Sequence, residues 1–232
     1  MSLTVALATL LMTQAGPVVE TEPLGLRVAF GFGPYAPSVD REFSSGATPY
    51  ADLFGDSTGF LFRPELTWVH RLSFGELTVS GSVGWFKDSA YAFVDGTEQR
   101  SGGTTTIKLV PLTATAGLRL YGLEKLLKVP VHPYMELGPT YTFWTIRQGD
   151  GDVAEVDGVR ASGGSFGLVG TLGLALALER LDPRAARTLR ESFGVHGTDL
   201  FFEWSYARTL PIADGTLRVG DSNWQVGLQF TF

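Results

Sequence analysis

The residues best suited to chemistry are three histidines, six charges set among apolar neighbours and one acidic run. His70, His132 and His196 are the candidate general bases, and a lipid-acting enzyme would pair such a base with a serine. No serine stands at a convincing spacing from any of them. Arg27, Arg63, Glu65, Arg119, Glu136 and Glu203 offer three cations and three anions. They suit acid–base work, a selectivity constriction or mutual pairing, and pairing is expected because isolated charges are costly in a confined space. Asp150-Gly151-Asp152 with Asp157 has carboxylates at a spacing that suits calcium, but the bidentate glutamate of a calcium loop is absent. A solvated acidic loop is expected there. With no cysteine, thiolate metal sites and disulfides are excluded. No phosphate-cradling loop, zinc-spaced histidine pair or nucleophile elbow is present, so no catalytic residue, metal or cofactor is expected.

The elements that must position these residues read in period two. On 59–71, Phe60, Phe62, Pro64, Leu66 and Trp68 share one face, and Leu61, Arg63, Glu65, Thr67 and Val69 share the other. The same alternation runs through 24–33, 75–86, 104–121, 133–146, 164–179, 198–210 and 223–232, which makes eight strands. Residues 161–178 carry no charge, yet their large side chains alternate with Gly, Ser, Thr and Ala, a strand's pattern rather than a transmembrane helix.

The bulky face is apolar and the second face is too small and polar to be a core, so the protein reads inside out. Charged residues are 18% of the chain, against the roughly 25% usual in soluble domains, and glycines number 29. The net charge of −6 argues against nucleic acid as a partner. Water does not tolerate eight such faces, whereas a bilayer accepts closed barrels, in which every backbone polar group is paired. The expected fold is all-β, an eight-stranded antiparallel transmembrane β-barrel over 24–232, with outer-membrane lipids around it.

Connections at 33–58, 87–103, 147–162 and 211–222 are long, and they sum to −7. Those at 71–75, 121–132 and 180–197 are short or helix-like. Outer-membrane barrels place long loops outside and both termini in the periplasm, so acidic extracellular loops facing an unknown ligand are expected. All three histidines then fall at the periplasmic end, away from the outer leaflet. In 182–194, Asp182 is an N-cap, Pro183 opens a helix and Gly194 ends it, giving a short amphipathic periplasmic helix able to cover the barrel mouth. A weaker one is expected at Leu123–Lys128. Residues 1–15 read as a signal peptide, with an uncharged run to Met12 and small residues before the cut.

The last residues, Gln225, Gly227, Phe230 and Phe232, match the pattern of the assembly signal that outer-membrane barrels present to their insertion machinery. The chain also resembles a myxobacterial family of outer-membrane β-barrel proteins of unassigned function. The resemblance is carried by Gly33-Pro34-Tyr35 with Pro37 and Val39-Asp40, by Phe54-Gly55, by Asp182 with Ala185-Ala186, and by Phe193-Gly194-Val195 with Leu200-Phe201-Phe202-Glu203. It implies an eight-stranded barrel and brings no catalytic residues. A structural or interaction barrel with a side-chain-filled lumen is therefore expected, the alternatives being a narrow transport pore or a lipid-modifying enzyme.

Overall fold

The computed structural model describes residues 24–42, 46–55, 59–93, 100–121, 129–156, 158–210 and 217–232. The expected signal peptide and the helix at 123–128 lie outside the described residues. Eight long strands form the wall: β1 (Leu24–Tyr35), β2 (Gly59–Leu72), β3 (Gly75–Val83, continued after Gly84 by Trp85–Phe93 in the same register as far as Tyr91), β4 (Arg100–Leu120), β5 (Val131–Arg147), β6 (Ser162–Ala177), β7 (Gly197–Thr209) and β8 (Ser222–Thr231). Every ladder is antiparallel, and β1 pairs with both β2 and β8, so the sheet closes on itself.

The register fixes the barrel's shape. Stepping sideways from Leu26 leads through Trp68, Val79, Ala116, Leu137, Gly170 and Tyr206 to Ser222. Continuing the β1–β8 register beyond Phe32↔Val226 then returns to position 36, a stagger of ten residues. For eight strands, that stagger requires them to tilt by roughly 40° and leaves an interior just wide enough for side chains to fill.

Alternation sets the two surfaces. Phe60, Leu137 and Val79 are 70%, 66% and 65% exposed on the outside, while Thr67, Glu76, Arg119 and Gln225 are buried inside. None of the described helices is long and apolar enough to cross a membrane; the strands do so instead. An apolar wall around a polar interior is stable only where lipid takes the place of water, so the barrel spans a bilayer.

The strands run further than their apolar stripes. β3 extends to Phe93 and β4 begins at Arg100, where a connection over 87–103 was expected. Beyond the lipid both faces of a strand are polar, so the alternation that marks a strand fades while the ladder continues. The connection after β5 likewise holds a small hairpin, Glu155–Val156 with Val159–Arg160.

The long-loop end carries an apolar cap. Tyr35, Leu61, Phe86, Ile107 and Leu109 from the wall pack with Tyr50 of helix α1 (Pro49–Phe54) and with Val219. Thr48, at the N-cap position, makes no capping bond. Asp40 does so from a distance, accepting from the backbone N–H of Tyr50 at 2.6 Å and of Ala51 at 3.0 Å. A carboxylate there satisfies two orphan donors and complements the helix dipole. The Tyr50 hydroxyl donates to Asp88 at 2.9 Å; burial first, then that bond, hold its pKa well above the ordinary tyrosine value. The Tyr35 ring meets that of Phe86 at 4.9 Å with the planes tilted by 55°, and its hydroxyl donates to the Val219 carbonyl at 2.5 Å.

Helix α2 (Pro183–Phe193) stands at the short-turn end as the sequence indicates. Asp182 accepts from the N–H groups of Arg184 and Ala185, both at 3.1 Å, and Gly194 adopts a left-handed φ of 69°. The helix packs beside the 3-10 turn Leu178–Arg180 and is exposed over most of its surface.

Candidate functional site

The six predicted charges share the inward parity of their strands, and the structure places all of them in the lumen. It does not pair them with one another as a set of three and three. At the short-turn end, Arg27 Nη2 lies 2.6 Å from Glu76 Oε2, and its Nε donates to Thr231 Oγ1 at 3.2 Å. Arg119 Nη1 donates to Asp199 Oδ2 at 3.1 Å, and its Nε lies 3.9 Å from Glu76. Gln229 donates to Asp199 at 2.8 Å, and the Tyr121 hydroxyl donates to Glu76. The anions serving Arg27 and Arg119 are thus Glu76 and Asp199, neither among the predicted residues. Glu76 has the parity of Thr78 and Ser80, and Asp199 that of Phe201 and Glu203, so reading each inward stripe to the turn-side end of its strand finds both.

A second cluster sits deeper in the barrel. Arg63 pairs with Glu203 and lies 3.7 Å from Glu65, while Thr67 donates to Glu65 at 3.0 Å. The Tyr134 hydroxyl donates to Glu203 at 3.0 Å. The same tyrosine ring carries the Arg119 guanidinium on its face, 5.3 Å from the centroid, which joins the two clusters. Glu136 is the exception. It accepts from Thr115 at 2.9 Å and has no ion pair among the described residues. The network therefore holds five carboxylates and three guanidiniums rather than equal numbers.

The wall is shaped to admit these side chains. Phe201 points inward over Gly31 and Gly227, which face each other across the β1–β8 seam, and packs with Ala29, Ala175 and the half-buried Tyr134. A Cβ on Gly31 would stand 3.2 Å from the Phe201 ring. Glycine at 31 and 227 leaves room for the aromatic ring that reaches over them from β7. What space is left among Arg27, Arg63, Arg119, Glu136 and Phe201 is about 10 Å³, at the lower limit for one water. Beyond Arg63, towards the cap, a chamber of about 50 Å³ is lined by Thr113, Thr140, Thr142, Ser165, Ser205 and Asn223.

Other candidates stay apart. His70 and His196 are exposed, and His132 meets the Tyr121 ring at 4.9 Å; all three lie at the short-turn end. Asp150 accepts from the N–H of Asp152 at 3.0 Å, the role of a turn residue, while Asp157 lies outside the described residues. No cluster of three potential metal ligands occurs among the described residues. In the C-terminal pattern, Gln225 and Gly227 face the lumen and Phe230 and Phe232 face outward.

No family model and no curated protein matches the chain. Among solved structures it is similar to Ail, the attachment invasion locus protein of Yersinia pestis, at 13% identity and a TM-score of 0.45, covering 90% of this chain and 97% of that one. It is similar to the outer membrane protein OprG from Pseudomonas aeruginosa at 15% identity and a TM-score of 0.45, covering 90% and 95%. The outer membrane enzyme PagL follows at 12% identity and a TM-score of 0.38, covering 89% and 98%. At these values no site residue carries over, and the chain's own ladders define it as a closed eight-stranded membrane barrel.

Proposed function

We propose that the protein is an outer-membrane barrel with a structural or interaction role, non-conducting, with both termini in the periplasm and acidic loops displayed outside. The filled lumen is the observation that carries this reading. An ion-pair network occupies the short-turn half and an apolar cluster packs at the other end among the described residues, an arrangement that supports a lumen closed to hydrated ions. A transport pore needs the opposite arrangement. A lipid-acting enzyme needs a base near lipid at the working rim, and the histidines lie at the far end.

Purified protein in a planar bilayer is expected to give no steady single-channel current. Steady conductance of hydrated ions overturns the plug and makes the charges a channel lining. Unchanged lipid A masses in a deletion strain are expected on the same reading, and a changed acylation pattern would restore the enzyme.

Assembly by the barrel-insertion machinery is part of the proposal. Phe232 ends the outward stripe of β8 and its backbone exchanges hydrogen bonds with Leu26 at 2.8 and 3.4 Å across the closing seam. Deleting it is expected to leave most of the protein out of the membrane, read as the heat-modifiable fraction in membrane extracts. Wild-type amounts of folded barrel from the truncated chain would remove that role.

A further inference from the structure

The outward wall sorts its charges by sign and by height. On the outward face of the barrel strands, the charged side chains among the described residues are Lys87, Lys108, Arg147 and Arg208, all exposed and all at the long-loop end. The acidic residues of the same strands, Glu65, Glu76, Asp88, Glu136, Asp199 and Glu203, take the inward parity. In a protein of net charge −6, a wholly cationic outer rim needs a cause.

Lys87 and Lys108 face each other directly across the β3–β4 ladder. Like charges in that position repel and weaken a sheet unless something lies between them. Neither has an ion-pair partner among the described residues, and Asp88 is turned inward to Tyr50. Each lysine is the first charge beyond its strand's apolar stripe, two residues past Trp85 and Val110 respectively, where lipid chains give way to headgroups. The next pair towards the loops is Ser89 and Thr106, whose hydroxyls lie 2.9 Å apart. Farther round the barrel, Arg208 borders a groove of about 300 Å³ with Arg218, Tyr206, Ser38 and Thr209.

We propose that this rim docks a phosphorylated glycolipid of the loop-side leaflet, Lys87 and Lys108 sharing one phosphate and the Arg208 groove taking another. Ammonium and guanidinium groups supply charge-assisted bonds to phosphate, and the hydroxyl pair above the lysines meets sugar hydroxyls. The belt edge sets the depth at which those phosphates lie. The proposal rests on the reading that the long loops face outside.

The test uses the full chain folded into phosphatidylcholine nanodiscs, with native mass spectrometry to count bound lipid. The probes are bis-phosphorylated lipid A, its dephosphorylated form, phosphatidylglycerol and inorganic phosphate. Lipid A is expected to bind and the dephosphorylated form not to. K87S/K108S is expected to weaken lipid A binding on the order of tenfold or more, and R208Q by several-fold. R184Q/R187Q, which removes two charges from α2 at the opposite end, is expected to change nothing. Heat-modifiable mobility reports that each variant is folded. Wild-type affinity in K87S/K108S overturns the site, and equal, equally sensitive binding of phosphatidylglycerol makes it a general anionic-lipid surface instead. A barrel that does not enter nanodiscs at all fails earlier, at the membrane reading itself.

Discussion

Arg63→Met is expected to cost the barrel about 3–5 kcal/mol, the range found when one partner of a buried ion pair is removed. Arg63 is the cation of the deeper cluster, paired with Glu203 and within 4 Å of Glu65, and Glu136 lines the same small void. Without it three carboxylates face one another in a space with no room for a hydration shell. The measurement is the denaturant midpoint of the refolded barrel in lipid vesicles. R63M/E203M, which replaces the pair by apolar residues of similar length, is expected to recover most of the loss, because an uncompensated charge is the costly state rather than the absence of the pair. Glu136→Gln is expected to cost little, since it keeps the Thr115 contact and removes a charge that has no cation partner. Equal damage from Arg63→Met and Glu136→Gln would mean that the ion pairing seen here does not govern stability.

Phe201→Ala is expected to be comparably damaging, at about 3–5 kcal/mol for deleting a buried aromatic ring. The ring fills the lumen over Gly31 of β1 and Gly227 of β8, so at those two positions no side chain can move into the gap. Phe201→Leu retains most of the volume and is expected to cost under about 1.5 kcal/mol. Bilayer recordings of Phe201→Ala are expected to stay silent, because the short-turn network and the apolar cap are both intact. A conducting Phe201→Ala barrel would identify this ring as the gate and place the closure of the lumen in one residue.

The residues that carry the family resemblance acquire a physical role in the structure. Tyr35, Val39, Asp40 and Phe54 build the loop-end cap: Asp40 caps α1 and Tyr35 bonds to the Val219 carbonyl. Asp182 and Gly194 begin and end α2. These are demands of fold and not of an activity.

The sequence by itself determined the eight strands, which face of each meets lipid, and the helix between Asp182 and Gly194. All of these are local: period-two alternation and capping chemistry are written within a dozen consecutive residues, and lipid imposes one rule on the whole outer wall. It also placed Arg27, Arg63, Glu65, Arg119, Glu136 and Glu203 inside, because parity is a local property too. Only the tertiary structure decided who pairs with whom. Arg27 reaches Glu76 and Arg119 reaches Asp199 because the ten-residue stagger of the closed ring brings distant strand positions to one height in the lumen, and parity carries no information about height. The same closure left Glu136 with a threonine instead of a cation. It also folded a segment read as an open loop into a cap, since the burial of Tyr50 depends on a barrel mouth that exists only once the eighth strand has met the first.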